Sequence, residues 1–166
     1  MLKKLLVLML CFTCLKGTMK LSSPAFSHNG SIPSQYTCDG ANVSPSLQWS
    51  DEPAGTKTFA LIVDDPDAPA KVWVHWVVFN IPNTVRSFAE GASMNEFGAG
   101  ATDFNGKTTY GGPCPPSGSH HYHFTLYALD TRLDLAPGAT KEQLLAAMQG
   151  HIIEQTTLIG TYQKKK

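Results

Sequence analysis

Short apolar runs along the chain are separated by turn residues. Residues 58–63 and 72–81 are rich in Val, Ile, Phe and Trp, and residues 122–129 alternate aromatic with aliphatic side chains. Such residues favour extended backbone, so all three runs are predicted to be strands. Turn pairs such as Asp39-Gly40 recur about every dozen residues, as in sandwich and barrel folds. The pattern predicts a mostly β protein in which the second and third runs form the core of a sheet.

One segment has the spacing of an amphipathic helix. Residues 140–153 begin at Thr140, which can cap a helix, and Gln143 stands where it completes a capping box. The apolar face of this predicted helix consists of Leu144, Leu145, Met148 and Ile152. Residues 158–162 are predicted to be a last strand or an extended end. Residues 87–109 are weakly patterned and predict a long loop with at most one short helical turn.

The first residues have the pattern of a secretory signal peptide. A basic stretch at residues 1–4 precedes an apolar run at residues 5–15, which is too short to cross a bilayer as a helix, since that takes about 20 residues. We therefore expect a signal peptide at residues 1–18 and a single domain at residues 19–166, periplasmic or secreted. The alternative is translation from Met19, which would leave a cytoplasmic protein.

Charge and cysteine content indicate which classes of partner and which cellular compartment suit the protein. The 166-residue chain has 13 Lys and Arg against 13 Asp and Glu, a balance that argues against nucleic acid or an anionic membrane as the main partner. Two cysteines follow the leader, Cys38 and Cys114, and an even number suits one disulfide in an oxidising compartment. The pair is predicted to be bridged. Two separate thiols are the alternative.

Polar residues lie at the ends of the predicted strands. Asp65 and Asp67 follow the first strand, and His75 opens the second. Because side chains alternate along a strand, His75 is expected on one apolar face with Trp73, Val77 and Phe79, where it needs a polar partner. Asp65 and Asp67 are the expected partners. A carboxylate that accepts one imidazole N–H favours the protonated ring and leaves the second N–H as an outward donor.

A glycine- and proline-rich segment precedes the third strand. The amides of Gly111 and Gly112 are expected to add backbone donors, and Pro113 with its neighbouring prolines should stiffen the loop. By the alternation of side chains, His120 and Tyr122 share a face of the third strand. Donors that converge on one point hold an anion. The three segments together therefore predict a small anion-binding pocket.

Two other interpretations involve different chemistry. A metal site would take its ligands from Asp65, Asp67, His75, His120 and His123. His123 should point away from the face that carries His120, which breaks up that cluster. A hydrolase would use Cys114 or Ser117 as a nucleophile beside His120, but the chain has no Gly-x-Ser-x-Gly turn and a bridge to Cys38 would consume the thiol. Anion binding is therefore the favoured interpretation.

Three ordered motifs resemble the phosphatidylethanolamine-binding protein family, also called Raf kinase inhibitor-like proteins. They are Asp65-Pro66-Asp67-Ala68-Pro69, His75 followed by an apolar strand that ends at Asn80, and the Gly-Pro-rich loop before His120-His121-Tyr122. The resemblance covers about residues 20–165, and three motifs in order are far more specific than any one of them. Residues 36–40 and 112–116 are similar to the bacterial branch in particular.

The resemblance implies a two-sheet antiparallel β fold with a few peripheral helices. It also implies a shallow pocket that takes phosphate, phosphorylated side chains or phospholipid head groups. The pocket residues that it implies are Asp65, Asp67, His75, Gly112, Pro113, His120 and Tyr122. No cofactor, metal or bond-making chemistry is expected. The alternative function is a protease or kinase inhibitor that acts by protein contact.

Overall fold

A computed structural model describes residues 17–164, so the expected leader at residues 1–18 lies almost wholly outside the described residues. The strands are β1 (Lys20–Ser22), β2 (Gly30–Ser31), β3 (Leu47–Ser50), β4 (Thr58–Asp65), β5 (Trp73–Pro82), β6 (Ser87–Phe88), β7 (Gly98–Ala99), β8 (Ser119–Leu129) and β9 (Ile152–Gln163). A 3-10 helix at Ser34–Tyr36 and the α-helix α1 at Lys141–Met148 complete the elements. Strands β4 and β8 contain the first and third predicted apolar runs, and β5 contains the second except for Val72.

The strands form two sheets, which confirms the predicted two-sheet, mostly β architecture. The small sheet has the order β1-β3-β6, and the large sheet has the order β2-β9-β8-β4-β5-β7. The pairing is antiparallel throughout except between β2 and β9, which run parallel over two residue pairs. The long strands β4, β5 and β8 are adjacent, so they form the centre of the large sheet.

The apolar residues form two cores, one on each face of the large sheet. One core lies between the sheets and includes Trp49 of β3 together with Phe59 of β4 and Phe124 of β8. The other lies beneath α1, which contributes Leu144 and Met148. Because both of its faces are covered, β4 is an almost continuous apolar run rather than an alternating one. Within residues 17–164, no helix has the length and apolar character needed to cross a membrane.

The helix begins where it was predicted and ends earlier. Thr140 and Gln143 form the capping box, since the Thr140 hydroxyl accepts from the Gln143 amide at 3.3 Å and the Gln143 side chain accepts from the Thr140 amide at 2.9 Å. The prediction of a helix to residue 153 was wrong. Gly150 adopts a φ of 80°, a left-handed conformation that stops a helix, and Ile152 already belongs to β9. Residues 87–109 hold β6 and β7 in place of the helical turn.

A β-bulge in β5 changes which residues share a face. Val63 pairs with Trp76 and Asp64 pairs with Val74, so His75 is the extra residue without a partner in β4. Side-chain alternation therefore shifts by one position at His75. The prediction that Val77 and Phe79 lie on the face of His75 was wrong, because both pack in the core beneath α1.

Candidate ligand-binding site

The antiparallel order brings three strand ends to one edge of the large sheet. Strand β4 ends at Asp65, opposite Trp73 at the start of β5. Strand β8 begins beside the same end of β4, with Asp64 opposite His123. Acidic residues at the end of one strand thus meet histidines at the start of its two neighbours. For that reason the segment that contains Asp65 meets the segment that leads into His120, as the sequence predicted.

Asp65 and His120 form a buried pair of a carboxylate and an imidazole joined by a hydrogen bond. The Asp65 Oδ2 atom lies 2.7 Å from His120 Nδ1, and the two side chains are 5% and 9% exposed. A carboxylate only accepts, so Nδ1 carries the hydrogen. The other carboxylate oxygen accepts from the Asp67 amide at 2.9 Å. Asp65 is therefore fully engaged, and within the described residues His120 Nε2 has no hydrogen-bond partner.

His75 is held by backbone, which corrects the expected aspartate partnership. Its Nδ1 donates to the Gly111 carbonyl at 2.6 Å, and its own carbonyl accepts from the Gly111 amide at 2.9 Å. The ring also makes edge contacts with Phe104 and Tyr122, each at 5.2 Å between ring centroids. Nδ1 carries the hydrogen, so the Nε2 of neutral His75 is an acceptor. That atom has no partner in the part of the chain that the structure describes.

Burial lowers the pKa of His75 below its usual 6.5. The bond to the Gly111 carbonyl and the negative charges of Asp65, Asp64 and Asp103 act in the opposite direction but do not overcome desolvation. His75 is therefore the neutral tautomer near neutral pH. This differs from the expectation that the rings at the site are protonated donors.

The glycine-rich segment uses its amides within the protein. Gly111 donates to the His75 carbonyl, and Gly112 donates to Asn42 Oδ1 at 2.7 Å. The expectation that both amides point at a ligand was therefore wrong. A Cβ at Gly112 would lie 2.4 Å from the Tyr36 carbonyl oxygen, so this position needs glycine for close approach of two backbones. The segment therefore holds the His75 ring and backbone in position through Gly111.

A disulfide links this segment to the loop after the 3-10 helix. Cys38 and Cys114 are bridged, with their Cα atoms 5.4 Å apart, as predicted. The Cys38 amide also donates to the Pro113 carbonyl at 3.1 Å. Pro113 is buried against this loop and lies outside the cavity wall, whereas Cys114 lines the cavity. The disulfide therefore fixes the position of one wall.

The strand ends enclose a cavity of about 290 Å³. Its lining residues are Asp65, Ala68, Pro69, Ala70, Trp73, His75, Phe104, Cys114, Pro115, Pro116 and His120. The structure thus brings Asp65, His75 and His120 together around one cavity. Sequence reasoning missed the wall residue Phe104, which lies in the weakly patterned segment after β7. Its only signal was an aromatic residue among small polar ones.

Asp67 and Tyr122, like Gly112 and Pro113, lie outside the cavity lining. Asp67 is half-exposed and accepts from His121, from the amide at 2.8 Å and from Nδ1 at 2.6 Å, and these bonds lower the pKa of Asp67. Tyr122 is buried behind His75, and among the described residues no group forms a hydrogen bond of ordinary geometry with its hydroxyl. Burial, followed by the nearby Asp65 carboxylate, raises the pKa of Tyr122 well above 10.

The donor set does not match a metal site. Within residues 17–164, no cluster of three or more His, Cys, Asp or Glu residues is arranged to hold a metal ion. His123 lies one residue beyond Tyr122 on β8 and so faces away from the cavity. The residues that line the cavity also include no Lys or Arg. Apart from the Asp65 carboxylate, its principal polar side-chain groups are therefore imidazole nitrogens.

Residues 22–163 match the family model for the phosphatidylethanolamine-binding protein. Because the match spans most of the chain, the protein belongs to this family, as its motifs indicated. The long strands and the cavity at their ends lie inside the matched residues.

Individual relatives agree with this assignment. The chain is 50% identical over 150 residues to a UPF0098 protein of Methanothermobacter thermautotrophicus, covering 88% of this chain and 99% of the relative. A phosphatidylethanolamine-binding protein homologue of Chlamydia trachomatis, CT736, has a similar structure, with a TM-score of 0.85, 44% identity and coverage of 89% of this chain and 99% of the other. YbcL of E. coli, described as a member of the mammalian PEBP family, gives a TM-score of 0.83 at 31% identity, covering 90% and 100%.

Proposed function

We propose that the protein binds a small phosphate-like anion, as part of a phosphorylated head group or side chain, in the cavity at the strand ends. The observation that carries this proposal is the pair of imidazole rings whose Nδ1 atoms are held within the protein while both Nε2 atoms have no partner among the described residues. A ring fixed at one nitrogen presents the other in a defined direction at little entropic cost.

The hydrogen-bond donor that His120 can offer supports an anion as the ligand. When His120 is protonated, its Nε2–H is a donor and Asp65 offsets the ring's charge at Nδ1. An anion that accepts from Nε2–H then replaces the water that the ring would otherwise bind. The apolar walls, including Trp73 and Phe104, strengthen that hydrogen bond because they exclude solvent from it. They also suit a small apolar group attached to the anion.

Binding without bond-making chemistry is the favoured activity. Nucleophilic catalysis at this cavity would need a free thiolate at Cys114, and the disulfide to Cys38 consumes that thiol. The same disulfide favours an oxidising compartment, which supports a periplasmic or secreted protein. The proposal requires no cofactor.

Calorimetric titration with inorganic phosphate and with phosphoethanolamine tests the proposal. His120→Asn is the informative variant, because its amide N–H can replace Nδ1–H as donor to Asp65 while the Nε2 position is lost. We expect at least a tenfold loss of affinity for both ligands, the size of one charge-assisted hydrogen bond.

His151→Asn is the matched control. His151 makes the same Nδ1 contact with a carboxylate, to Asp130 at 2.8 Å, on the exposed surface. This variant should bind both ligands as the wild type does. Wild-type protein that binds neither ligand, or His120→Asn protein that binds both undiminished, would contradict the proposal.

A further inference from the structure

The two cavity histidines differ in what holds their Nδ1–H. At His120 the acceptor is the Asp65 carboxylate, which offsets a positive ring. At His75 the acceptor is the Gly111 carbonyl, which carries no net charge, and the ring is only 3% exposed. A protonated ring would therefore have a counter-charge beside it at His120 and none at its Nδ1 partner in His75, which stays neutral. A neutral ring with hydrogen on Nδ1 offers a lone pair at Nε2.

Other charged groups near His75 do not change this assignment. Asp64 and Asp65 face it from β4 and Asp103 faces it from the loop after β7, while Tyr122 of β8 stays a protonated phenol. Two of these carboxylates already have cations, because Asp64 pairs with Lys141 and Asp103 pairs with Lys71. Desolvation remains the largest influence on the His75 ring.

With His120 protonated, the site offers a ligand one donor, His120 Nε2–H, and one neutral acceptor, His75 Nε2. An acceptor deep in an apolar cavity discriminates strongly, since an unpaired buried polar group is costly. Because the lining holds the Asp65 carboxylate and no Lys or Arg, a doubly charged anion would be less well compensated than a singly charged one.

We propose that the cavity selects phosphate groups that carry a proton, with the P–OH donating to His75 Nε2 and an unprotonated oxygen accepting from His120 Nε2–H. This inference rests on the proposed function and names the chemical class of its ligand, a phosphate or phosphate monoester in its monoanionic form. A phosphodiester has no P–OH, and sulfate has no proton near neutral pH. Both should bind more weakly despite similar size or charge.

Competing anions in wild-type protein provide the first test. Calorimetry at about pH 6, close to the second pKa of a phosphate monoester, would compare phosphate with sulfate, and phosphoethanolamine with its O-methyl diester. We expect phosphate and the monoester each to bind at least about tenfold more tightly than the paired anion. Equal binding of phosphate and sulfate would overturn the inference and leave the proposed function standing. Failure to bind either anion would overturn the proposed function and the inference with it.

His75→Asn and His75→Gln provide the second test, after circular dichroism has established that each is folded. The amide N–H of His75→Asn can replace Nδ1–H as donor to Gly111 while the acceptor at Nε2 is lost. His75→Gln places an amide near Nε2 and loses the Gly111 bond. The preference for phosphate over sulfate should disappear in His75→Asn and persist in part in His75→Gln.

His120→Asn is the control, because it should weaken phosphate and sulfate alike. A His75→Asn protein that keeps the full preference would overturn the role of His75. The comparison of phosphate with sulfate in wild-type protein needs no variant, so the inference stays testable if either His75 variant does not fold.

Discussion

The buried pair Asp65–His120 and the exposed pair Asp130–His151 have nearly the same contact geometry. Each joins a carboxylate oxygen to Nδ1, at 2.7 Å and 2.8 Å. The side chains of the exposed pair are about half accessible, while those of the buried pair are less than a tenth accessible. Exposed pairs are weakened by water and salt, whereas a buried pair must satisfy every polar atom. Location at a strand end, under apolar walls, is what makes the first pair a candidate site.

The disulfide fixes a wall of the cavity that contains the buried pair, because Cys114 lines the same cavity as Asp65 and His120. It closes a loop across 76 residues, and the chain-entropy model gives about 4 kcal/mol of stabilisation for such a loop. The double variant Cys38→Ser, Cys114→Ser should lose about this much in urea denaturation, together with affinity for phosphate. An unchanged unfolding midpoint would show that the wall is held by other contacts, such as the Gly112 amide bond to Asn42.

Removing the carboxylate from each pair should lower the free energy of unfolding much more for the buried pair than for the exposed one. Asp65→Asn leaves the buried His120 ring without its counter-charge and should cost about 3 kcal/mol in the free energy of unfolding. Asp130→Asn should cost less than about 1 kcal/mol, because that pair is exposed. Chemical denaturation of both variants measures the difference. Equal losses would mean that burial of Asp65 has no energetic consequence.

Acid should destabilise the protein through His75. Its folded pKa lies below 6.5, so below pH 6.5 the unfolded chain binds more protons than the folded protein. Stability is therefore fully present above pH 6.5 and is lost as the pH falls towards the folded pKa, by at most about 1.4 kcal/mol per pH unit for one proton. Denaturation as a function of pH should show a smaller slope in His75→Asn than in wild type. Parallel curves would contradict a neutral buried ring.

The half-exposed pair Asp67–His121 should give the smallest effects. Its side chains are 41% and 52% exposed, so Asp67→Asn should cost less than about 1 kcal/mol. Because Asp67 does not line the cavity, affinity for phosphate should change little in the same variant. Calorimetry on Asp67→Asn measures this directly. A large loss of affinity would return Asp67 to the site that the family resemblance implied.

The sequence predicted the strands and most of the polar cluster because these depend on local patterns. Apolar runs indicated β4, β5 and β8, and polar residues at their ends indicated where a pocket would form. The face of His75 was wrong because a bulge shifts side-chain alternation, and no residue type marks this bulge. Its Gly111 partner and the wall residue Phe104 depend on long-range packing of loops. The end of α1 was misplaced because Ile152 suits both a helix and a strand.

Nitrogen NMR of the six histidines tests the central claim most directly. Imidazole ¹⁵N shifts report which ring nitrogen carries hydrogen, so free protein should show His75 as the neutral Nδ1–H tautomer. Titration with phosphate at about pH 6 should move the Nε2 signals of His75 and His120 and leave His151 unchanged. Phosphate that binds without moving either Nε2 signal, or that moves His151 equally, would contradict the account.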